Sequence, residues 1–171
     1  MLRRLLALAL LATVALAQQH ATEEQVKAAY LYNFGKFATW QSAPSAGDFQ
    51  ICVIGQDPFG EELDKTIAGG TINGAPVRIL RLSASQDTSP CRIAYIGPSE
   101  HGRLKELLPR LTKQHVLAVS DMPDFLSRGG VIALVRDGNR VRFDVNLPAA
   151  NAAGVSLSSE LLRVAKQVIT Q

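Results

Sequence analysis

Apolar positions in this chain fall into two rhythms. Short near-continuous runs, Phe49–Ile54, Cys91–Ile96 and the stretch from His115 to Val119, read as strands, as does Val77–Leu82, which alternates. Between them, apolar residues recur at three- and four-residue steps. Thr22, with Gln25 three positions on, reads as a capping box opening a helix. Val26, Ala29, Tyr30, Asn33, Phe34, Phe37 and Trp40 then fall at helical spacing, and the stretch Ser42–Gly47, with Pro44 inside it, ends that helix. Asp57-Pro58 predicts the start of a second helix and Ala68-Gly69-Gly70 its end. Asn73-Gly74 predicts a turn before the strand at Val77. Ser99 is the expected N-cap of a third helix, with Leu104, Leu107, Leu108 and Leu111 as its stripe and Pro109 as a kink. A brief helical turn is expected around Pro123–Leu126.

The last third carries the clearest local signals. Val131–Val135 and Val141–Val145 flank Arg136-Asp137-Gly138-Asn139-Arg140, and an Asp-Gly pair between two β-rich runs predicts a hairpin. From about Ser156 to Thr170, residues Leu157, Leu161, Leu162, Val164, Ala165, Val168 and Ile169 predict a long helix with a broad apolar face. Strands alternating with helices predict an α/β fold in a single domain. Its mainly parallel sheet would have about six strands, flanked by helices on both faces, with a C-terminal antiparallel hairpin followed by the long helix.

The start of the chain predicts export. Arg3 and Arg4 precede an apolar run from Leu5 to Leu16, and Ala15-Leu16-Ala17 gives a small-x-small cleavage pattern, so residues 1–17 are expected to be a cleaved signal peptide. The apolar run is short of the roughly 20 residues that a membrane-spanning helix needs. The mature domain would be residues 18–171, in the periplasm and without stable membrane insertion. The formal charge of +3 includes those two arginines, so the mature chain carries +1. A nearly neutral surface gives no reason to expect nucleic acid as a partner.

Cys52 and Cys91 are the two cysteines, each in a strand-like run. In an oxidising compartment a disulfide between them would close a loop of about 40 residues, worth roughly 2–4 kcal/mol. Two buried free thiols are the alternative. Neither reading suits a thiol-exchange enzyme, because the spacing is unlike a CxxC motif.

Candidates for chemistry are sparse. Gly55-Gln56-Asp57-Pro58-Phe59-Gly60 follows a strand as a phosphate loop would, but lacks GxGxxG or GxxxxGK[ST], and Pro58 removes an amide from the cradle. It reads as a tight turn, leaving a pocket at that end of the sheet open. His20, His101 and His115 do not share a metal-ligand spacing, and no metal or cofactor is expected. Asp121 stands at a strand end, as the acceptor of a phosphoreceiver would, but the acidic pair after the first strand is missing; it is expected to cap the following turn. Ser120, Ser156, Ser158 and Ser159 lack a GxSxG setting, and Ser158 and Ser159 suit a helix start. No catalytic residue is expected.

Several segments together resemble the YfiR family of small periplasmic regulators: Lys27-Ala28-Ala29-Tyr30-Leu31-Tyr32-Asn33-Phe34 with Trp40, Ile51-Cys52-Val53-Ile54-Gly55, Cys91-Arg92-Ile93-Ala94-Tyr95-Ile96, and Arg142-Phe143-Asp144-Val145-Asn146 with Ala152, Gly154-Val155 and Ser158–Ala165. The order and spacing of these segments carry the resemblance, which spans nearly the whole mature chain. It implies a non-enzymatic repressor that binds the periplasmic sensory domain of a membrane-bound GGDEF diguanylate cyclase. Release would then raise cyclic di-GMP and favour biofilm. Such a repressor must bind the inactive state of its partner more tightly than the active one. Family members can carry a second cysteine pair near the strand matching Gly130–Val135, which this chain lacks, and the family's Trp-Pro is Trp40-Gln41 here. The resemblance does not transfer contact residues. Exposed apolar positions of the first helix and the last hairpin and helix, namely Tyr32, Phe37, Trp40, Phe143, Leu147 and Leu157, are the expected partner surface. A homodimer is a second way to cover an apolar helical face. The competing class is a periplasmic small-molecule sensor acting on another membrane partner, such as a histidine kinase.

Overall fold

A computed structural model describes residues 21–42 and 47–171. The expected signal peptide, His20 and Pro44 lie outside the described residues. The first helix, α1 (Glu23–Phe37), opens as its capping box dictates: the Thr22 hydroxyl accepts from the Gln25 amide, and the Gln25 side chain accepts from the Thr22 amide. Its buried side is Ala28, Leu31, Phe34 and Gly35, with Tyr30 beside it, a slightly different face from the spacing-based stripe. Phe34 anchors it, stacked on Tyr30 at 5.7 Å and edge-on to Phe143 at 5.1 Å between ring centroids. The helix ends three residues before Trp40. Ala38–Trp40 instead forms a strand, β1, because its backbone finds a partner further along the chain.

Next come β2 (Phe49–Ile54), α2 (Glu61–Ile67), β3 (Thr71–Ile72), β4 (Ala75–Leu82) and β5 (Cys91–Ile96). Helix α2 starts later than Asp57-Pro58 suggests: the Asp57 carboxylate is engaged in a local turn, accepting from the Phe59 amide at 2.7 Å. Asn73 and Gly74 both take positive φ, +51° and +82°, which suits the two-residue turn joining β3 to β4. After β5, Pro98–Arg103 forms a 3₁₀ turn with Pro98 at its start, running into α3 (Leu104–Lys113). Ser99 therefore does not cap a helix. Its hydroxyl accepts from the Gln56 amide at 2.9 Å, tying the ends of β2 and β5 together.

Strand β6 (Leu117–Ser120) leads by a turn to β7 (Ile132–Asp137), which pairs with β8 (Arg140–Asn146) as the expected hairpin. The long final helix is absent. In its place are α4 (Leu147–Ala152), β9 (Val155–Leu157), α5 (Ser159–Val164) and β10 (Gln167–Ile169). Three local devices divide the segment. The Asn146 side chain caps α4 by accepting from the Ala149 amide, Gly154 turns the chain at φ +66°, and Ser158 caps α5 by accepting from the Leu161 amide. The residues between then pair with distant strands, β9 antiparallel to β1 and β10 parallel to β8.

Among the described residues the main sheet has eight strands, in the order β10-β8-β7-β6-β5-β2-β4-β3. That is two more than expected, because β3 and β10 are too short to show as runs. Its centre, β4-β2-β5-β6-β7, is wholly parallel. The crossovers β2-α2-β4 and β5-α3-β6 advance in opposite directions, so right-handed connections put α2 and α3 on opposite faces. Helix α1 packs beside α2 and crosses β5 and β8. Ile51, Val53, Ile54, Ile93, Ala94 and Ile96 are completely buried, as a strand covered on both faces requires.

Candidate functional site

Strands β2 and β5 hold the cysteine pair. Cys52 and Cys91 form a disulfide with a Cα–Cα separation of 5.7 Å. The register explains how they meet. Cys52 lies opposite Ala94, so regular pairing would put Arg92 on its face and turn Cys91 away. A bulge between Gln50 and Ile51 shifts the pairing by one, placing Cys91 opposite Gln50 and hence on the face of Cys52.

A cluster of four charged side chains lies where α1 meets the carboxyl ends of β6 and β7. Lys27 Nζ is 2.7 Å from Glu23 and 2.6 Å from Asp121, and its side chain is only 12% exposed. The Tyr95 hydroxyl donates to the other oxygen of Asp121 at 2.8 Å, and Arg136 pairs with Glu23. Asp121 is thus a strut between β6 and α1 and does not cap the following turn. Ser120 does that local work, accepting from the Met122 amide and donating to the Ile96 carbonyl. Burial pulls Lys27 toward its neutral form, but its bonds to Asp121 and Glu23 outweigh this and leave its pKa raised. The same bond from Lys27 holds Glu23 below the usual carboxylate range. Burial, then the Asp121 charge, pushes the Tyr95 phenol well above its ordinary value. A cavity of about 380 Å³ adjoins the cluster, with Met122, Leu134 and Val141 in its wall. Every charge facing it has an opposite partner, so it offers neither a nucleophile nor a free base.

The turn at Gly55–Gly60 lies where the crossover directions diverge, the usual ligand position in such sheets. Its polar groups are already used: the Gln56 amide by Ser99, and the Asp57 carboxylate by Phe59 and Arg81. Arg81 also bonds Asp64 and the Gly60 carbonyl. Glu100 lines the depression there, which disfavours an anion. His101 contacts Asp124 at 3.0 Å, and His115 Nδ1 contacts the Ala153 carbonyl at 3.0 Å. Among the described residues no group of three or more His, Cys, Asp or Glu is placed to hold a metal ion.

The six residues expected to form a partner surface are dispersed. Phe143 is 1% exposed and packs edge-on against Tyr30 and Phe34, so it belongs to the core and leaves the surface set. Phe37, at the end of α1, is 41% exposed. Leu157 comes beside it: it pairs with Ala38, and the Ser158 amide donates to the Phe37 carbonyl. Trp40 is at the far end of β1, half-buried edge-on against Phe49. Tyr32 lies at the junction with β3, its hydroxyl donating to the Thr71 carbonyl and Lys36 over its ring. Leu147 is half-buried at the start of α4. The structure therefore brings the chain at Phe37 next to the chain at Leu157 and sets the rest apart. The spacing-based reading missed the Lys27 cluster, because Tyr95, Asp121 and Arg136 are distant from Lys27 in sequence and only the run from Lys27 to Phe34 hinted at a role.

These features define a small α/β domain in which Cys52, Cys91, His101, His115, Ser120 and Asp121 are each bonded within the fold. The chain belongs to the YfiR/HmsC-like family, whose model matches residues 24–166. That is a regulatory rather than a catalytic family. The fold is similar to a conserved domain protein from Vibrio cholerae O1 biovar El Tor (TM-score 0.56, 11% identity, covering 70% of this chain and 54% of that one). It is also similar to the ABC domain, in complex with L-Trp, from Streptococcus pneumonia (TM-score 0.57, 13% identity, covering 83% of this chain and 60% of that one). The chain spans little more than half the length of each, and at these identities the likeness concerns the fold. Among the described residues no helix is long and apolar enough to cross a membrane.

Proposed function

We propose that this protein is a periplasmic regulator that binds the periplasmic sensory domain of an inner-membrane diguanylate cyclase and represses cyclic di-GMP synthesis. The observation that carries this reading is the family match over residues 24–166. Two features support it. The histidines His101 and His115, Asp121 and Ser120 serve structural bonds, which suits a protein that works by contact rather than by chemistry. Phe37 exposes part of an aromatic ring at the end of α1, beside the strand that carries Leu157, where a partner domain can cover it. Repression follows if the bound cyclase domain is held in its inactive arrangement, since a ligand shifts an equilibrium only by its preference for one state.

The test is a pull-down of mature protein, residues 18–171, against the periplasmic domain of the membrane GGDEF protein encoded nearest to its gene. Saturable binding, together with a rise in cyclic di-GMP on deletion of this gene, is the expected result. Absence of binding with both oxidised and reduced protein overturns the reading.

A further inference from the structure

The charge of the mature chain is unevenly placed. Residues 136–142 contain Arg136, Arg140 and Arg142 against the single acid Asp137, a net +2, while all other mature residues together sum to −1. The β7–β8 turn thus holds more than the whole net charge of the molecule. All three arginines line one groove of about 510 Å³ between this hairpin and the first turns of α1, and Val26 and Tyr30 contribute to its wall. Two of the three are partly engaged. Arg136 pairs with Glu23, and Arg142 donates to the Val164 carbonyl at 3.2 Å with Asp137 at 3.9 Å. Arg140 is exposed and has no carboxylate within 4 Å among the described residues.

We infer that this groove docks an acidic, extended segment of a partner protein, with Arg140 as its first anchor and Arg142 as its second. Guanidinium groups form two-pronged bonds with carboxylates, and two of them spaced along one groove select a run of acids rather than a single one. Arg140 and Arg142 alternate with Val141, whose carbonyl accepts from the Tyr30 hydroxyl, so their two charges are spaced along the strand at the rim of the groove. The Tyr30 ring and Val26 give an apolar residue of the same segment somewhere to pack. An anionic bilayer fits less well. These arginines line a concavity, which a chain can enter and a flat membrane surface cannot, and the rest of the molecule lacks the broad positive field that holds a protein to lipid. The inference rests on the proposed reading only in taking the partner to be a protein.

The test uses mature protein, residues 18–171, and a fluorescein-labelled peptide of alternating Glu, Asp and Leu, with its Gln, Asn and Leu counterpart as control. Fluorescence anisotropy reads binding from about 0.05 to 0.5 M salt, a range over which charge screening tightens severalfold. The expected result is binding of the acidic peptide alone, weakening steadily with salt. Arg140→Glu should weaken it at least tenfold, and Arg140→Glu/Arg142→Glu should abolish it. Lys105→Glu/Lys113→Glu, on exposed α3 positions, should leave it within twofold at the same change in net charge. Circular dichroism checks folding, and the single Arg140 variant decides the matter if the double one is disturbed. Equal binding of both peptides, or equal losses in the groove and α3 variants, overturns the inference. So does co-sedimentation with phosphatidylglycerol vesicles without peptide binding. The cyclase domain separates the two proposals: if it binds wild type and the Arg140 variant alike, the groove inference fails and the regulator reading stands. If it binds neither while the acidic peptide binds, the reverse holds.

Discussion

Lys27 illustrates how one residue gains a role from its place in the fold. Its charge, largely removed from water, is shared between Glu23 on its own helix and Asp121 at a strand end. Lys27→Met removes the cation and leaves two carboxylates facing one another, so it should cost about 1–3 kcal/mol in urea unfolding at neutral pH. The pH dependence has a definite sign. Glu23 is lowered from 4.5, so its share is present above that value and lost as pH falls through its folded pKa. Lys27 is raised from 10.5, so its share is present below that value and lost as pH rises through its folded pKa. The gap between wild type and Lys27→Met should therefore stay level from about pH 5 to pH 10 and shrink outside that window. A gap that persists undiminished in strong acid would contradict this account. The helix start at Thr22 was readable in the sequence because cap and partner are three residues apart, whereas Lys27 and Asp121 are separated by 94. Local hydrogen bonding leaves a mark in the sequence; a distant ion pair does not.

Among the elements, the same contrast separates the two halves of the C-terminal third. The hairpin was legible because Asp137-Gly138 dictates a turn and both flanking runs favour extended chain. The stretch from Ser156 to Thr170 has apolar residues at helical spacing, yet it is divided because β1 and β8 offer backbone partners that spacing cannot reveal. Gly154 is the pivot. It takes φ +66°, and a Cβ there would stand 3.0 Å from the His115 ring. Gly154→Ala should destabilise by about 1–2 kcal/mol in thermal or urea unfolding, more than an exposed glycine replacement elsewhere. An unchanged midpoint would mean that the turn tolerates a side chain. At the centre of the sheet, the bulge beside Cys91 gives the bridge its geometry. Cys52→Ala/Cys91→Ala should lower stability by about 2–4 kcal/mol while retaining the fold, read by denaturation of oxidised wild type against the variant.

For the whole molecule, the α/β class and the parallel sheet were legible because continuous apolar runs mark strands covered on both faces. The partner surface was much less so: burial separates Phe143 from Phe37, although each is an aromatic residue in an apolar setting. Replacing Phe37 with Ser should cost about 1 kcal/mol, since the residue is 41% exposed and the remainder is covered by the protein. If the cyclase domain docks over Phe37 and Leu157, that variant should nevertheless lose at least tenfold in the pull-down affinity. Retained affinity would move the contact to another face.

The disulfide also divides the chain into a closed ring and two tails. Everything between Cys52 and Cys91, including α2, β3 and β4, is a loop whose ends are covalently joined. A protease that cuts at an exposed site within it, such as Gln86 or Asp87, opens the ring without releasing a fragment. The nicked protein should migrate as one species on a non-reducing denaturing gel and as two after reduction, while a cut at Asn139 should give two under either condition. Half of the central sheet can thus survive a backbone break that the other half cannot.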